Sequence, residues 1–119
     1  MPLHSELEQM RQQMNLAFIL VVSDEGLLMA EVGDSPGEDF APYSTEMMEM
    51  ANRMSQAGDF GVPLCNALVL RGGRMLIMHE ARVGEHNIYL SILCDSVPPS
   101  VHRLTRKIVA CVSRSLLGN

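Results

Sequence analysis

The sequence is short of aromatics: three Phe, two Tyr and no Trp in 119 residues. That leaves little for stacking bases or sugars. Cysteine is scarce too. Cys65, Cys94 and Cys111 make an odd number with no C-x-x-C pair, so they cannot all pair within one chain and they lack metal-site spacing. They read as buried, reduced thiols. No apolar run approaches the ~18 residues of a membrane span; Leu16–Val22 is followed at once by Ser23-Asp24-Glu25. The opening "MPLHSELEQ" lacks the basic start and apolar stretch of a signal peptide, so a cytoplasmic protein is the expectation. A basic excess is also missing. Nine Lys and Arg stand against 14 Asp and Glu, a net charge of -5, which argues against a general nucleic-acid binder. The imbalance is uneven. Residues 1–60 hold 11 acids and 2 bases, net -9, and residues 61–119 hold 3 acids and 7 bases, net +4, which together give -5. Such a split permits a protein partner that reads charge.

Signatures of chemistry are absent as well. There is no G-x-x-x-x-G-K-[ST] phosphate loop, no G-x-G-x-x-G and no G-x-S-x-G elbow. His79-Glu80 opens like the zinc motif H-E-x-x-H, but position 83 is Val, and the segment reads as a strand rather than the helix the motif needs. No catalytic, cofactor or metal residues are assigned, and the chain is not expected to be an enzyme.

What is present is a well-patterned single domain of 119 residues with 47% hydrophobic composition. Leu3, Leu7, Met10 and Met14 recur at helical spacing, and Ser5 with Glu8 suits a capping box. Residues 16–22 and 27–32 form a hairpin about Asp24-Glu25-Gly26. Its first arm has no polar residue, although an antiparallel pair with one wet face should alternate. Both faces of the sheet are therefore expected to be covered. Residues 33–39 form an acidic loop, and 41–57 form a second helix with Pro42 in its first turn and Gly58 at its stop. Met47, Met50, Ala51, Met54 and Ala57 make one stripe of that helix, and Met48 widens it. The run spans more of the circumference than one sheet covers easily. Met is favoured at adaptable surfaces, so packing on the sheet and contact with another chain both stay open.

Gly72-Gly73 separates residues 64–71 from 74–81 and predicts a two-residue hairpin. That register sets Val69 against Leu76, Ala67 against Met78, Cys65 against Glu80, and Asn66 against His79, with a hydrogen bond between the last two. Residues 87–94 form a fifth strand. Residues 97–117 form a last helix, capped by Ser96 and carrying Pro98-Pro99 in its first turn. The bases of this helix, His102, Arg103, Arg106, Lys107 and Arg114, read as its solvated side. The order α-β-β-α-β-β-β-α with two apolar sheet faces predicts an α/β (α+β) three-layer sandwich.

The hairpin "FILVVSDEGLLMAEVG", the helix "YSTEMMEMANRMSQAG", the strands "LCNALVLRGGRMLIMHEARVGEHNIYLSILCD" and the closing helix together resemble the Roadblock (dynein light chain) family, which includes bacterial MglB-type regulators. The resemblance rests on element order and apolar pattern and covers residues 4–117. It implies a five-stranded antiparallel sheet of order 2-1-5-4-3, with the second helix on one face and the other two helices on the opposite face. It implies a dimer in which third strands pair edge to edge and second helices pack across the two-fold axis. The matching positions are Met47, Met50 and Met54 on the helix and Cys65, Ala67 and Val69 on the strand. It also implies a partner, a Ras-like small GTPase, or a place as an adaptor in a larger complex, with no arginine finger. On that strand order Cys65 and Cys94 stand about 9–10 Å apart, beyond disulfide reach.

Two functions compete on these residues. One is a non-catalytic, homodimeric regulator or adaptor of a small GTPase, with neither nucleic acid nor membrane as partner. The other is a small-molecule-sensing or scaffold module, for which Asn66, His79, Tyr89 and Ser91 are the inward polar candidates.

Overall fold

The computed structural model describes residues 2–118. The elements are α1 (Leu3–Met14), β1 (Leu16–Ser23), β2 (Leu28–Gly33), α2 (Ala41–Gly58), β3 (Cys65–Val69), β4 (Met75–Val83), β5 (His86–Cys94) and α3 (Val101–Leu117). The five strands form one antiparallel sheet in the order β2-β1-β5-β4-β3, as expected.

Two cores explain the unbroken apolar run of β1. Ile19 and Val21 point to the face that carries α1 and α3. There they meet Leu7 of α1, Ile77, Leu90 and Ile92 of the sheet, and Leu104, Ile108 and Val112 of α3. Phe18, Leu20 and Val22 point the other way, to Ala41 and Met48 of α2 and to Met78 and Tyr89. Alternate residues of a strand face opposite sides, so a strand covered on both needs no polar position. Each fully buried Leu or Ile contributes about 1.5–3 kcal/mol.

Four local expectations are corrected. The first concerns the β3–β4 hairpin. Cys65 pairs with His79, Asn66 with Met78, Ala67 with Ile77, Leu68 with Leu76 and Val69 with Met75. The register is one residue off the two-residue turn. Leu70 N–H bonds the Arg74 carbonyl at 2.7 Å and Gly73 N–H bonds Leu70 at 3.1 Å, so Arg71, Gly72 and Gly73 all lie in the loop. Both glycines have positive φ, 94° and 93°. Cys65, Ala67 and Val69 thereby share the α1/α3 face with His79 and Ile77.

The other three corrections are at helix ends. Ser5 lies inside α1, whose N-cap is Pro2 with no side-chain bond. Glu8 is instead engaged by Arg11, one turn on, at 2.6 and 2.8 Å. α2 runs through Gly58, and Asp59 takes the left-handed cap at φ 56°. A side chain at Gly58 would collide with the Phe60 ring. α3 starts at Val101, because Ser100 rather than Ser96 caps it, its Oγ accepting from Arg103 N–H at 3.1 Å.

Candidate functional site

The sheet ends on β3, an edge strand of five residues. Among the described residues, nothing pairs with its outer side. Ala67, Leu68 and Val69 are all exposed, Val69 to 67%. An exposed apolar edge is a template for pairing with another chain. The loop leading into it is apolar too: Phe60 is 79% and Val62 96% exposed.

α2 lies beside this edge. Asn66 of β3 donates its side-chain N–H to the Met47 carbonyl at 3.3 Å and so ties helix to strand. The buried stripe of α2 is Ala41, Ser44 and Met48, at steps of three and four. Met47 is half-buried against the same core. Met50 and Met54 are off the stripe and exposed, Met54 to 60%. The Met residues are thus divided between core and surface. Leu68, paired with Leu76 on the α2 face, is exposed on the side where α2 lies.

The six positions matched by resemblance border one edge of the molecule but occupy both sides of the sheet. Met47, Met50 and Met54 are on the α2 side, and Cys65, Ala67 and Val69 are on the α1/α3 side. Sequence reasoning missed Leu68, Val62 and Phe60. For Val62 and Phe60 the signal is "DFGVPL", a loop whose apolar residues have no helical or strand period to bury them; Leu68 lies within the β3 run and carries no such signal.

The four inward polar candidates do not converge. His79 shares the α1/α3 face with Ile77, and its Nδ1 lies 2.8 Å from the Leu64 carbonyl rather than bonding Asn66. Burial holds the imidazole below its ordinary pKa. Ser91 is buried on the α2 side in a hydrogen bond with Ser44. Tyr89 donates its hydroxyl to Glu80 at 3.2 Å. Desolvation, reinforced by the Glu80 charge, pushes the Tyr89 phenol up to about 12. Each group is satisfied within the fold, as buried polar groups usually are.

Among the described residues, no three His, Cys, Asp or Glu are grouped as a metal would need, and no helix is long and apolar enough to cross a membrane. All three cysteines are free thiols. Arg71 and Arg74 stand at the β3–β4 tip, where Arg74 reaches Asp95 at 3.5 Å.

No protein-family model matches the sequence, and no curated protein matches it. Solved structures match the fold over nearly its whole length. Myxococcus xanthus MglB is 11% identical with a TM-score of 0.75, covering 98% of this chain and 96% of that one. A Roadblock/LC7 domain from Streptomyces avermitilis is 18% identical with a TM-score of 0.67, covering 98% and 96%. A structure described as MglB with tetrameric arrangement is 14% identical with a TM-score of 0.74, covering 95% and 86%. Sheet order, helix placement and end-to-end coverage agree, and the chain has the Roadblock fold in its MglB-type form.

Proposed function

We propose that this chain is a non-catalytic homodimeric regulator or adaptor that binds a Ras-like small GTPase. The observation that carries the reading is the unpaired, apolar β3 edge beside the exposed Met50 and Met54 of α2. Two copies joined there pair β3 with β3 in antiparallel fashion, which completes the backbone hydrogen bonds of both edges. The interface takes in Met50, Met54 and Leu68 on one side of the joined sheet and Ala67 and Val69 on the other, with Met47 and Cys65 beneath. Self-association is in keeping with the tetrameric arrangement described for one structure of this fold.

The GTPase link rests on the Roadblock resemblance. On this reading the chain lends no catalytic group of its own, so any promotion of hydrolysis acts by positioning the GTPase's own groups. The test is affinity capture by the tagged protein from its own cell lysate, with GDP and with a non-hydrolysable GTP analogue. A small GTPase retained more strongly with one nucleotide supports regulation, and turnover with and without this protein then measures activation. Retention of no GTPase under either condition refutes direct regulation.

A further inference from the structure

At one end of the sheet, β1 begins and β5 finishes beneath the ends of two helices. α1 stops at Met14, Asn15 turns left-handed at φ 56°, and β1 starts at Leu16. β5 finishes at Cys94, and residues 95–100 lead to α3. Between these segments lies a cleft of about 300 Å³, at the low end of the ~300–1,000 Å³ of small-molecule sites. Met14, Leu16, Cys94, Pro98, Pro99 and Leu104 give it apolar walls.

Two cations stand at this cleft. Arg103 and Lys107 are four residues apart on α3, on the same side as Leu104, and both line it. Neither has a carboxylate within 4.0 Å among the described residues. Like charges at that spacing repel, and an anion between them removes the repulsion. The acid at the rim, Asp95, is drawn toward Arg74 at 3.5 Å. Cys94 contributes no charge near pH 7, since burial, and secondarily Asp95, push its thiol up to about 11. Ser100 caps α3 with its own hydroxyl, so the positive character of the cleft comes from the two side chains.

We propose that this cleft binds a small amphiphilic anion, with one carboxylate or phosphate held by Arg103 and Lys107 and an apolar body seated against Met14, Leu16, Pro98 and Leu104. Apolar walls with a few convergent polar groups are the usual make-up of such a site, and Arg suits the planar, bidentate capture of either head group. The cleft sits on β1 and β5, whereas the self-association edge is β3, beyond β4. Binding here therefore stands or falls independently of self-association at that edge.

Octanoate and octyl phosphate are the probes, with 1-octanol and inorganic phosphate as controls, read by amide chemical shifts of the full chain. Saturable shifts confined to residues 14–16 and 94–107 are expected with at least one of the two amphiphilic anions, and that one sets the head group. Each control binds at least about tenfold more weakly, about 1.4 kcal/mol. Arg103→Ala with Lys107→Ala weakens the binding by about tenfold or more while leaving the unfolding midpoint in place, because both side chains are exposed. Arg103→Lys retains part of the affinity. The proposal is overturned if neither anion gives saturable shifts, if the shifts centre elsewhere, or if the double variant binds as the parent does. Equal binding of 1-octanol leaves only an apolar crevice, and equal binding of inorganic phosphate leaves only a charge effect; either result also overturns it.

Discussion

Gly33, at the end of β2, has no tolerance for a side chain. Its φ is 80°, and a Cβ there would overlap the Ala17 carbonyl and crowd the Arg11 side chain. Arg11 is itself held, donating to the Leu16 carbonyl at 3.1 Å. Gly33→Ala is predicted to destabilise by about 2 kcal/mol or more, and an unchanged urea midpoint would contradict the geometry. The buried Ser44–Ser91 pair makes a different prediction. Removing one hydroxyl strands the other, at a cost of about 1–3 kcal/mol, while removing both is close to neutral. A double-mutant cycle of Ser44→Ala and Ser91→Ala should thus show the double variant more stable than either single one. Tyr89 gives a pH dependence. Its phenol ionises near 10 in the unfolded chain and about 12 in the fold. The raised value means its contribution is complete below pH 10 and is lost as pH climbs from 10 to 12. Tyr89→Phe should flatten the stability profile in that window, measured by denaturant melts against the parent; identical slopes would count against the burial of the neutral phenol.

The elements were legible where a period repeats over several turns or strands. β1 had to be covered on both faces because seven consecutive residues, Leu16–Val22, offer no wet side. All three helices and five strands appear in the expected order. The strand order came from resemblance, since hairpin signals alone place neighbours and do not bring β5 between β1 and β4. What failed to be legible lies at ends and turns, where several residues compete for one role. Gly72-Gly73 fits a two-residue turn on composition, yet the backbone closes one residue earlier, at Leu70–Arg74, and shifts the whole register. Pro98-Pro99 fits a first helical turn, yet Ser100 behind it is the better cap. Along α2, eight residues hold four Met, and helical period alone does not decide that Met48 is buried while Met50 and Met54 are out. The exposed positions make the element-scale prediction. Met54→Glu with Val69→Lys changes side chains that touch solvent in the monomer, so its folding stability shifts by no more than about 0.5 kcal/mol for each. Charge on the edge strand is how natural sheets avoid pairing. Sedimentation equilibrium should find this variant monomeric under conditions where the parent is dimeric, and a variant as dimeric as the parent would move the interface elsewhere.

At the scale of the molecule, the layers divide the charge. α3 carries Arg103, Arg106, Lys107 and Arg114 with no acid, whereas α2, on the other face, carries Glu46 and Glu49 against Arg53. The uncharged, apolar stretch of surface lies between these faces, along β3 and its approach loop, where Val69, Val62 and Phe60 are exposed. Interfaces that hold two copies together tend to lose charge at their centre and to keep it at the rim, which favours the edge over either charged face in the proposed dimer. If folding and association are linked there, stability depends on protein concentration. Unfolding one dimer releases two chains, so each tenfold rise in concentration favours the dimer by about 1.4 kcal/mol. For two chains of 119 residues that corresponds to about 3 °C in melting temperature. Reversible thermal melts of the parent over a hundredfold range of concentration should therefore rise steadily. Those of Met54→Glu with Val69→Lys should not move. A parent whose melting temperature ignores concentration, while sedimentation shows it dimeric at lower temperature, would mean that the two chains part before either unfolds, so that association adds nothing to the fold at its midpoint.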